Sequence, residues 1–241
     1  MIKEEFKLNN DYIYKFFHIN SKNYMSQVLN ASAKAYDIDI EGKKYPLTSA
    51  YYSHNVESKG TITSSCRNFM KNDLVSINEL LPLLKESYLL EVNGDSQVTS
   101  LTPSAGGLYP IEIYIITSER HSEAGTYHYT KTKGELNYIR PTIEFRSFLT
   151  TVNSFLENAS FLIIMTAKME NLINKYGARG YRYALIEAGH IGQNISRFVS
   201  ETPNLGCCAI GGFFDDVLHK KLNLPVNELP IYIYGIGKKV F

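Results

Sequence analysis

Thr102-Pro103-Ser104-Ala105-Gly106-Gly107-Leu108-Tyr109-Pro110 runs directly into Ile111-Glu112-Ile113-Tyr114-Ile115-Ile116. A loop closed by proline at each end, with paired glycines at its centre, delivers the chain into a β-branched strand. Glycine pairs admit positive φ and close approach of backbone to a ligand, and proline stiffens the flanks. Small residues at the mouth of a sheet suit backbone N–H groups laid against a flat or anionic ligand. No Gly-Lys-Ser/Thr follows, so the stretch is not a P-loop. The glycines precede a strand rather than open a helix, so it is not a dinucleotide fingerprint either. By itself it also fits a rigid turn ahead of a core strand.

Outward from this loop the pattern predicts a strand over 111–117. Before it, Ser76-Ile77-Asn78-Glu79 reads as a capping box, and Leu80, Leu81 and Leu84 predict an amphipathic helix ending near Ser87. After it, Tyr127–Tyr129 and Glu135–Tyr138 flank Lys133-Gly134 as a hairpin. A helix is expected over 144–157, and the apolar run Ser160–Ala167 predicts a strand buried on both faces. Tyr181–Glu201 is the best helix of the chain, with a stripe of Leu185, Ala188, Gly189, Gly192, Ile195, Ser196 and Val199. Its small residues suit a close neighbour, either the same helix of a second subunit or packing inside one subunit. Leu205–Phe213 reads as a glycine-rich loop, followed by a short helix starting near Asp215 or Asp216 and a last strand, Ile231–Tyr234. Residues 1–60 are polar and weakly periodic and are expected to form a helical or irregular arm, with the main domain over 61–241. Mixed strands and helices without a βαβ rhythm point to α+β.

The 241 residues suffice for one large domain. Basic and acidic residues nearly cancel, 25 against 24, so neither nucleic acid nor a membrane surface is an expected partner. Cys66, Cys207 and Cys208 make a poor disulfide framework and lack zinc-ligand spacing, which points to a reduced, cytoplasmic protein. The start Met1-Ile2-Lys3-Glu4-Glu5 lacks the apolar core of a secretory signal, and no apolar run reaches membrane-spanning length. Eighteen tyrosines and twelve phenylalanines fit stacking surfaces or an ordinary core alike.

Lys175-Tyr176, ahead of Arg179 and Arg182, offers two proton-transfer groups, or else a solvated helix start. Ser64, Ser65 and Arg67 suit a phosphate, which accepts several charge-assisted hydrogen bonds, and Lys238 and Lys239 can add charge. His190 reads as an interior, hydrogen-bonded histidine, and no i+4 partner supports a metal. No nucleophile elbow is present, and Cys207-Cys208 has no evident histidine partner.

Taken together and in order, these pieces resemble the SagB-type dehydrogenases, a branch of the FMN-dependent nitroreductase superfamily. The resemblance rests on 103–110, on Lys175-Tyr176-Gly177-Ala178-Arg179-Gly180-Tyr181-Arg182-Tyr183, and on Glu187-Ala188-Gly189-His190-Ile191-Gly192-Gln193-Asn194. Ile210-Gly211-Gly212-Phe213 and the opening residues Phe17-His18 with Ser21-Lys22 add to it.

The resemblance implies a nitroreductase-like fold, a central mostly antiparallel sheet flanked by helices, in an intertwined homodimer with FMN at the interface. Ser65 and Arg67 match the family's phosphate-binding segment, where Thr63 replaces a first arginine, and Lys238 or Lys239 would compensate. Ser104, Ala105, Gly106 and Gly107 would line the flavin, with Gly211 and Gly212 near the ring. The implied reaction oxidises thiazoline or oxazoline rings in a ribosomal precursor peptide to thiazole or oxazole, as in bacteriocin and toxin maturation. Lys175 and Tyr176 would carry the proton chemistry, and a cyclodehydratase complex would supply the substrate. Two other readings are an NAD(P)H-dependent nitroreductase or flavin reductase, and a flavin-free scaffold of a peptide-modifying synthetase.

Overall fold

The side chains of Ile111, Ile113 and Ile115 belong to one buried cluster and Ile116 to another, the period-two signature of a strand covered on both faces. The computed structural model describes residues 10–22, 64–92 and 98–240; most of the expected arm, and Thr63 with it, lies outside the described residues. The first described element is α1 (Asn10–Ser21), and α2 (Ile77–Tyr88) opens with the expected capping box, Ser76 and Glu79 closing each other's backbone N–H. A small pair, β1 (Glu91–Val92) with β2 (Val98–Thr99), precedes the main sheet.

That sheet contains β3 (Ile111–Thr117), β4 (Thr126–Thr130), β5 (Glu135–Arg140), β6 (Phe161–Lys168), β7 (Leu205–Ile210) and β8 (Glu228–Lys238). All neighbours are antiparallel, in the order β5-β4-β3-β6-β8-β7. On one face lie α2, the short α3 (Glu170–Tyr176) and the long α4 (Arg179–Glu201), packed on Ile113, Ile163 and Met165. On the other face lie two 3-10 segments and α5 (Asp215–Leu222), packed on Ile116, Leu162 and Ile164. The α+β class, strand 111–117, the hairpin, the doubly buried strand and the long helix all appear as expected. No helix among the described residues is long and apolar enough to cross a membrane.

Five local expectations need correction. The helix expected over 144–157 is instead two 3-10 segments, Phe145–Ser147 and Thr151–Asn158. β-branched and short polar residues crowd that stretch, and Asn153 sends its amide to the Gly212 carbonyl at 2.7 Å, a bond competing with regular helix. The glycine-rich loop expected from Leu205 is an edge strand as far as Ile210, and β8 is longer than Ile231–Tyr234. Its glycines are filled by neighbours: a Cβ on Gly237 would lie 2.8 Å from the Phe69 ring, and one on Gly235 would collide with Leu156.

The buried stripe of α4 is Tyr181, Ala184, Glu187, Ala188, Ile191, Gly192, Ile195 and Val199, while Leu185 and Gly189 are exposed. Gly192 is small for a reason inside one subunit, since a Cβ there would sit 2.7 Å from the Tyr234 hydroxyl; around Gly189 nothing lies within 4 Å. His190 is exposed rather than interior.

Candidate cofactor and catalytic site

The Pro103–Pro110 loop turns through a single 3-10 turn, Ala105–Gly107, with Gly106 at φ 63°, Gly107 at φ 65° and Tyr109 at φ 46°. Left-handed backbone at a tyrosine is uncommon and needs support. It comes from both sides of the residue. The Tyr109 N–H donates to Ser104 Oγ at 2.8 Å, and Lys131 Nζ donates to the carbonyls of Tyr109 and Ile111 at 2.8 and 2.7 Å.

Lys175 and Tyr176 end α3, immediately before Gly177 at φ 59°. The turn brings both onto the loop. Lys175 Nζ lies 3.4 Å from the Gly106 carbonyl oxygen, and a Cβ on Gly106 would sit 2.5 Å from that ammonium and collide with the Tyr176 hydroxyl. Tyr176 is braced edge-on by Tyr183, ring centroids 5.0 Å apart. Lys175 is exposed and Tyr176 half-buried, so both are reachable.

Beneath the loop lies Glu187, whose role is not apparent from spacing. It is 2 % exposed and accepts hydrogen bonds from the Ser104 and Tyr88 hydroxyls, each at 2.5 Å. Burial pushes its carboxyl above the usual range, against these two hydrogen bonds. One sequence signal existed: a single acid in line with Ala184, Ala188 and Ile191 on the apolar face of a helix. Lys131 carries no such signal.

The phosphate candidates gather elsewhere. The Cys66 N–H donates to the Cys207 carbonyl at 2.8 Å and the Met70 N–H to the Lys238 carbonyl at 2.8 Å, which seats Ser65-Cys66-Arg67 along β7 and the end of β8. Ser65 and Arg67 are exposed, and the Arg67 guanidinium lies 6.0 Å from the Phe155 ring centre. Lys238 forms an ion pair with Asp73 at 2.6 Å, so it is already engaged. The Lys239 N–H donates to the Asn204 carbonyl at 2.9 Å. Gly211 has nothing within 4 Å of a would-be Cβ, and Gly212 is held by Asn153. Burial raises the Cys207 thiol to about 11, so it is not an activated nucleophile.

Beside the loop opens a cavity of about 510 Å³ whose lining includes Gly107, Tyr109, Glu112, Lys131, Lys168 and Glu228. Glu112 is buried there, which alone would raise its carboxyl. His128 at 2.8 Å and Lys131 and Lys168 at 3.0 Å each outweigh that and hold it at about 2.

The residues present fit a flavin mononucleotide. Hydroxyl and guanidinium donors at Ser65 and Arg67 suit a phosphate. The backbone at Gly107 and Gly211 is open where any side chain would intrude on a flat ring.

Residues 63–238 match the model of the nitroreductase family. A Methanocaldococcus jannaschii protein named as a nitroreductase is 27% identical over 179 residues, 73% of this chain and 87% of that protein. The Escherichia coli microcin B17-processing protein McbC is 29% identical over 179 residues, which are 70% of this chain and 65% of McbC. Among solved structures, a chain of the E. coli microcin synthetase McbBCD complex with truncated pro-MccB17 bound superposes with a TM-score of 0.74. It is 22% identical, with 96% of this chain and 94% of that chain covered. An Exiguobacterium sibiricum protein named as a nitroreductase, in complex with FMN, has a TM-score of 0.52 at 17% identity, over 74% of this chain and 85% of that one. The six-stranded antiparallel sheet with its helices is the fold these proteins share, and the chain belongs to the nitroreductase family of oxidoreductases and is a homologue of McbC.

Proposed function

We propose that the protein is an FMN-dependent dehydrogenase that oxidises thiazoline or oxazoline rings of a ribosomal precursor peptide to thiazole or oxazole. The observation that carries this reading is the seating of Lys175 and Tyr176 on Gly106, which puts two proton-transfer groups next to Gly107, the open glycine of the loop. A reductase that only passes hydride between nicotinamide and flavin has no use for such a pair. The likeness to McbC, named as the microcin B17-processing protein, supports the same reading.

Bound FMN supplies a ring that accepts a hydride equivalent, chemistry no side chain offers. Ser65 and Arg67, assisted by Lys239 or by Lys238 once it leaves Asp73, would hold its phosphate, and Ser104 to Gly107 with Gly211 and Gly212 would border its ring. Lys175 or Tyr176 takes the proton from the azoline Cα, a transfer worth typically 10²–10⁴-fold when the group is well placed. Lys175 is exposed in the single chain, so an incoming substrate can reach its amine directly.

The distribution of these residues supports a homodimer. The loop enters β3 at Ile111, which is in register with Ala167 and, through it, Leu229 of β8. Ser65–Arg67 is tied to Cys207, in register with Ile236 of β8. Leu229 and Ile236 are seven residues apart on one strand, roughly 23 Å at about 3.3 Å per residue. One chain thus carries the two halves of the site at opposite ends of its sheet, and a second copy can bring its phosphate half to the first copy's loop. We assign residues 61–241 to the FMN-binding domain and 1–60 to its arm. We place the enzyme in the cytoplasm beside a cyclodehydratase that makes the rings; its three thiols are unbridged, as a reducing compartment would keep them.

The test begins with a visible spectrum of the purified protein, where released FMN is the expected result. Lys175→Ala and Tyr176→Phe are then assayed on an azoline-bearing peptide. At least one should lose on the order of 10²-fold or more in turnover with the flavin spectrum unchanged. Colourless protein that takes up no added FMN overturns the reading. Rapid NADH oxidation with no effect of either variant would replace it by a flavin reductase.

A further inference from the structure

Glu187 has more partners than a helix residue needs and no cation in contact with it; the charge of Lys131 reaches it only from beyond ion-pair distance. The Tyr88 hydroxyl, from α2, donates to Oε1, and the Ser104 hydroxyl, from the loop, donates to Oε2. Among the described residues no lysine, arginine or histidine forms an ion pair with it. A buried carboxylate without a cation in contact is costly, and a glutamine or an apolar residue would pack α4 at lower cost.

A carboxylate offers what those replacements lack. It only accepts, so both hydroxyls must point their hydrogens at it. The Ser104 oxygen is then left with its lone pairs turned outward, and one of them takes the Tyr109 N–H at 2.8 Å. That bond closes the loop across Gly106, Gly107 and Tyr109, the loop's three residues with positive φ. Left-handed backbone at a tyrosine costs on the order of 1–2 kcal/mol and persists only when its surroundings over-determine it. A glutamine would give one acceptor and one donor, and the direction of the Ser104 hydroxyl would no longer be set.

We infer that Glu187 is a positioning residue for the dehydrogenase reaction. It orients the Ser104 hydroxyl and so holds the loop in the shape that seats Gly106 against Lys175 and Tyr176 and leaves Gly107 open to the flavin. The inference rests on the proposed function for its flavin, but its structural core, the Glu187–Ser104–Tyr109 relay, stands apart from it.

The test uses the full chain with Glu187→Gln, Ser104→Ala and the double variant. In flavin-free protein, hydrogen exchange at the Tyr109 amide should quicken in all three, while amides in β3 and β6 keep their protection. FMN affinity, followed by quenching of flavin fluorescence, should fall on the order of ten-fold in each single variant, the scale of one hydrogen bond to a charged group. The double variant should be within about two-fold of Ser104→Ala, because both changes break one relay. Multiplying losses in the double variant would overturn the inference. So would a Glu187→Gln protein with a lowered Tm but unchanged Tyr109 exchange and FMN affinity, since that is a packing role alone. If Glu187→Gln does not fold, Ser104→Ala decides: unchanged Tyr109 exchange sinks the relay. Wild-type protein that binds no FMN fails the functional reading, while the exchange arm still judges the relay.

Discussion

The Lys175 ammonium lies 3.4 Å from the carbonyl oxygen of Gly106, a residue 69 positions earlier in the chain, and the Tyr176 hydroxyl covers the same glycine. Gly106 and its neighbour Gly107 both have φ above 60°, yet only Gly106 is covered by protein. Alanine at the two positions should therefore fail differently. Gly106→Ala pushes Lys175 and Tyr176 off the loop and should lower peptide turnover on the order of 100-fold, as misplacement by about 1 Å does. Gly107→Ala meets no protein atom. It should cost the flavin-free protein about 1–2 kcal/mol of backbone strain in urea denaturation and weaken FMN binding more than it slows the bound enzyme.

Helix α1 should release in mild acid. His18 is buried against Tyr181, its Nδ1 3.0 Å from the hydroxyl, and burial with nearby Lys22 lowers its pKa to about 4 from 6.5. The folded state prefers the neutral ring, so the unfolded arm takes up the extra proton between these values. The contact is at full strength above pH 6.5 and is lost as pH falls toward 4, a change on the order of 3 kcal/mol if the shift is complete. Limited proteolysis should show α1 cut faster at pH 4.5 than at pH 7 while the sheet survives, with the pH dependence removed in His18→Gln.

Glu112 titrates in a lower window. Its pKa of about 2 lies below the ordinary 4.5, so its contribution is present above pH 4.5 and fades as pH falls toward 2. Glu112→Gln at pH 7 leaves half-buried Lys131 without its carboxylate and should cost about 2–4 kcal/mol, less than a fully buried pair because Lys131 keeps two carbonyls. Urea denaturation at pH 7 and pH 3 should show wild type losing more on acidification than the variant does.

The two glycines of α4 should separate packing from association. Gly192→Ala forces a methyl against Tyr234 and should destabilise the protein by about 1–3 kcal/mol. Gly189→Ala touches nothing in its own chain and should raise the stability of the monomer by up to about 1 kcal/mol. Beside exposed Leu185 and Ile186 it should also weaken a dimer that uses this face, visible as a concentration-dependent shift in sedimentation.

By itself the sequence determined the elements whose causes are local. The capping box at Ser76 and Glu79, the β-branched run from Ile111, the Lys133-Gly134 hairpin and the apolar run before Ala167 each state their structure within a few residues, where propensity and periodicity act. The motif order also marked which loop and which lysine–tyrosine pair belong together. Tertiary structure alone decided the rest. Leu205–Ile210 is a strand because β8 supplies its ladder and Cys66 covers Gly206, contacts made by residues far away in the chain. Residues 144–157 lost their helix to side-chain bonds with Gly212. Glu187 became the support of the loop because α2, α4 and Ser104 converge on it, and no local pattern records a convergence. The Ser104–Gly107 loop and Ser65–Arg67 sit at opposite ends of β8 because strand register, a property of paired strands and not of any one segment, sets where each residue ends up.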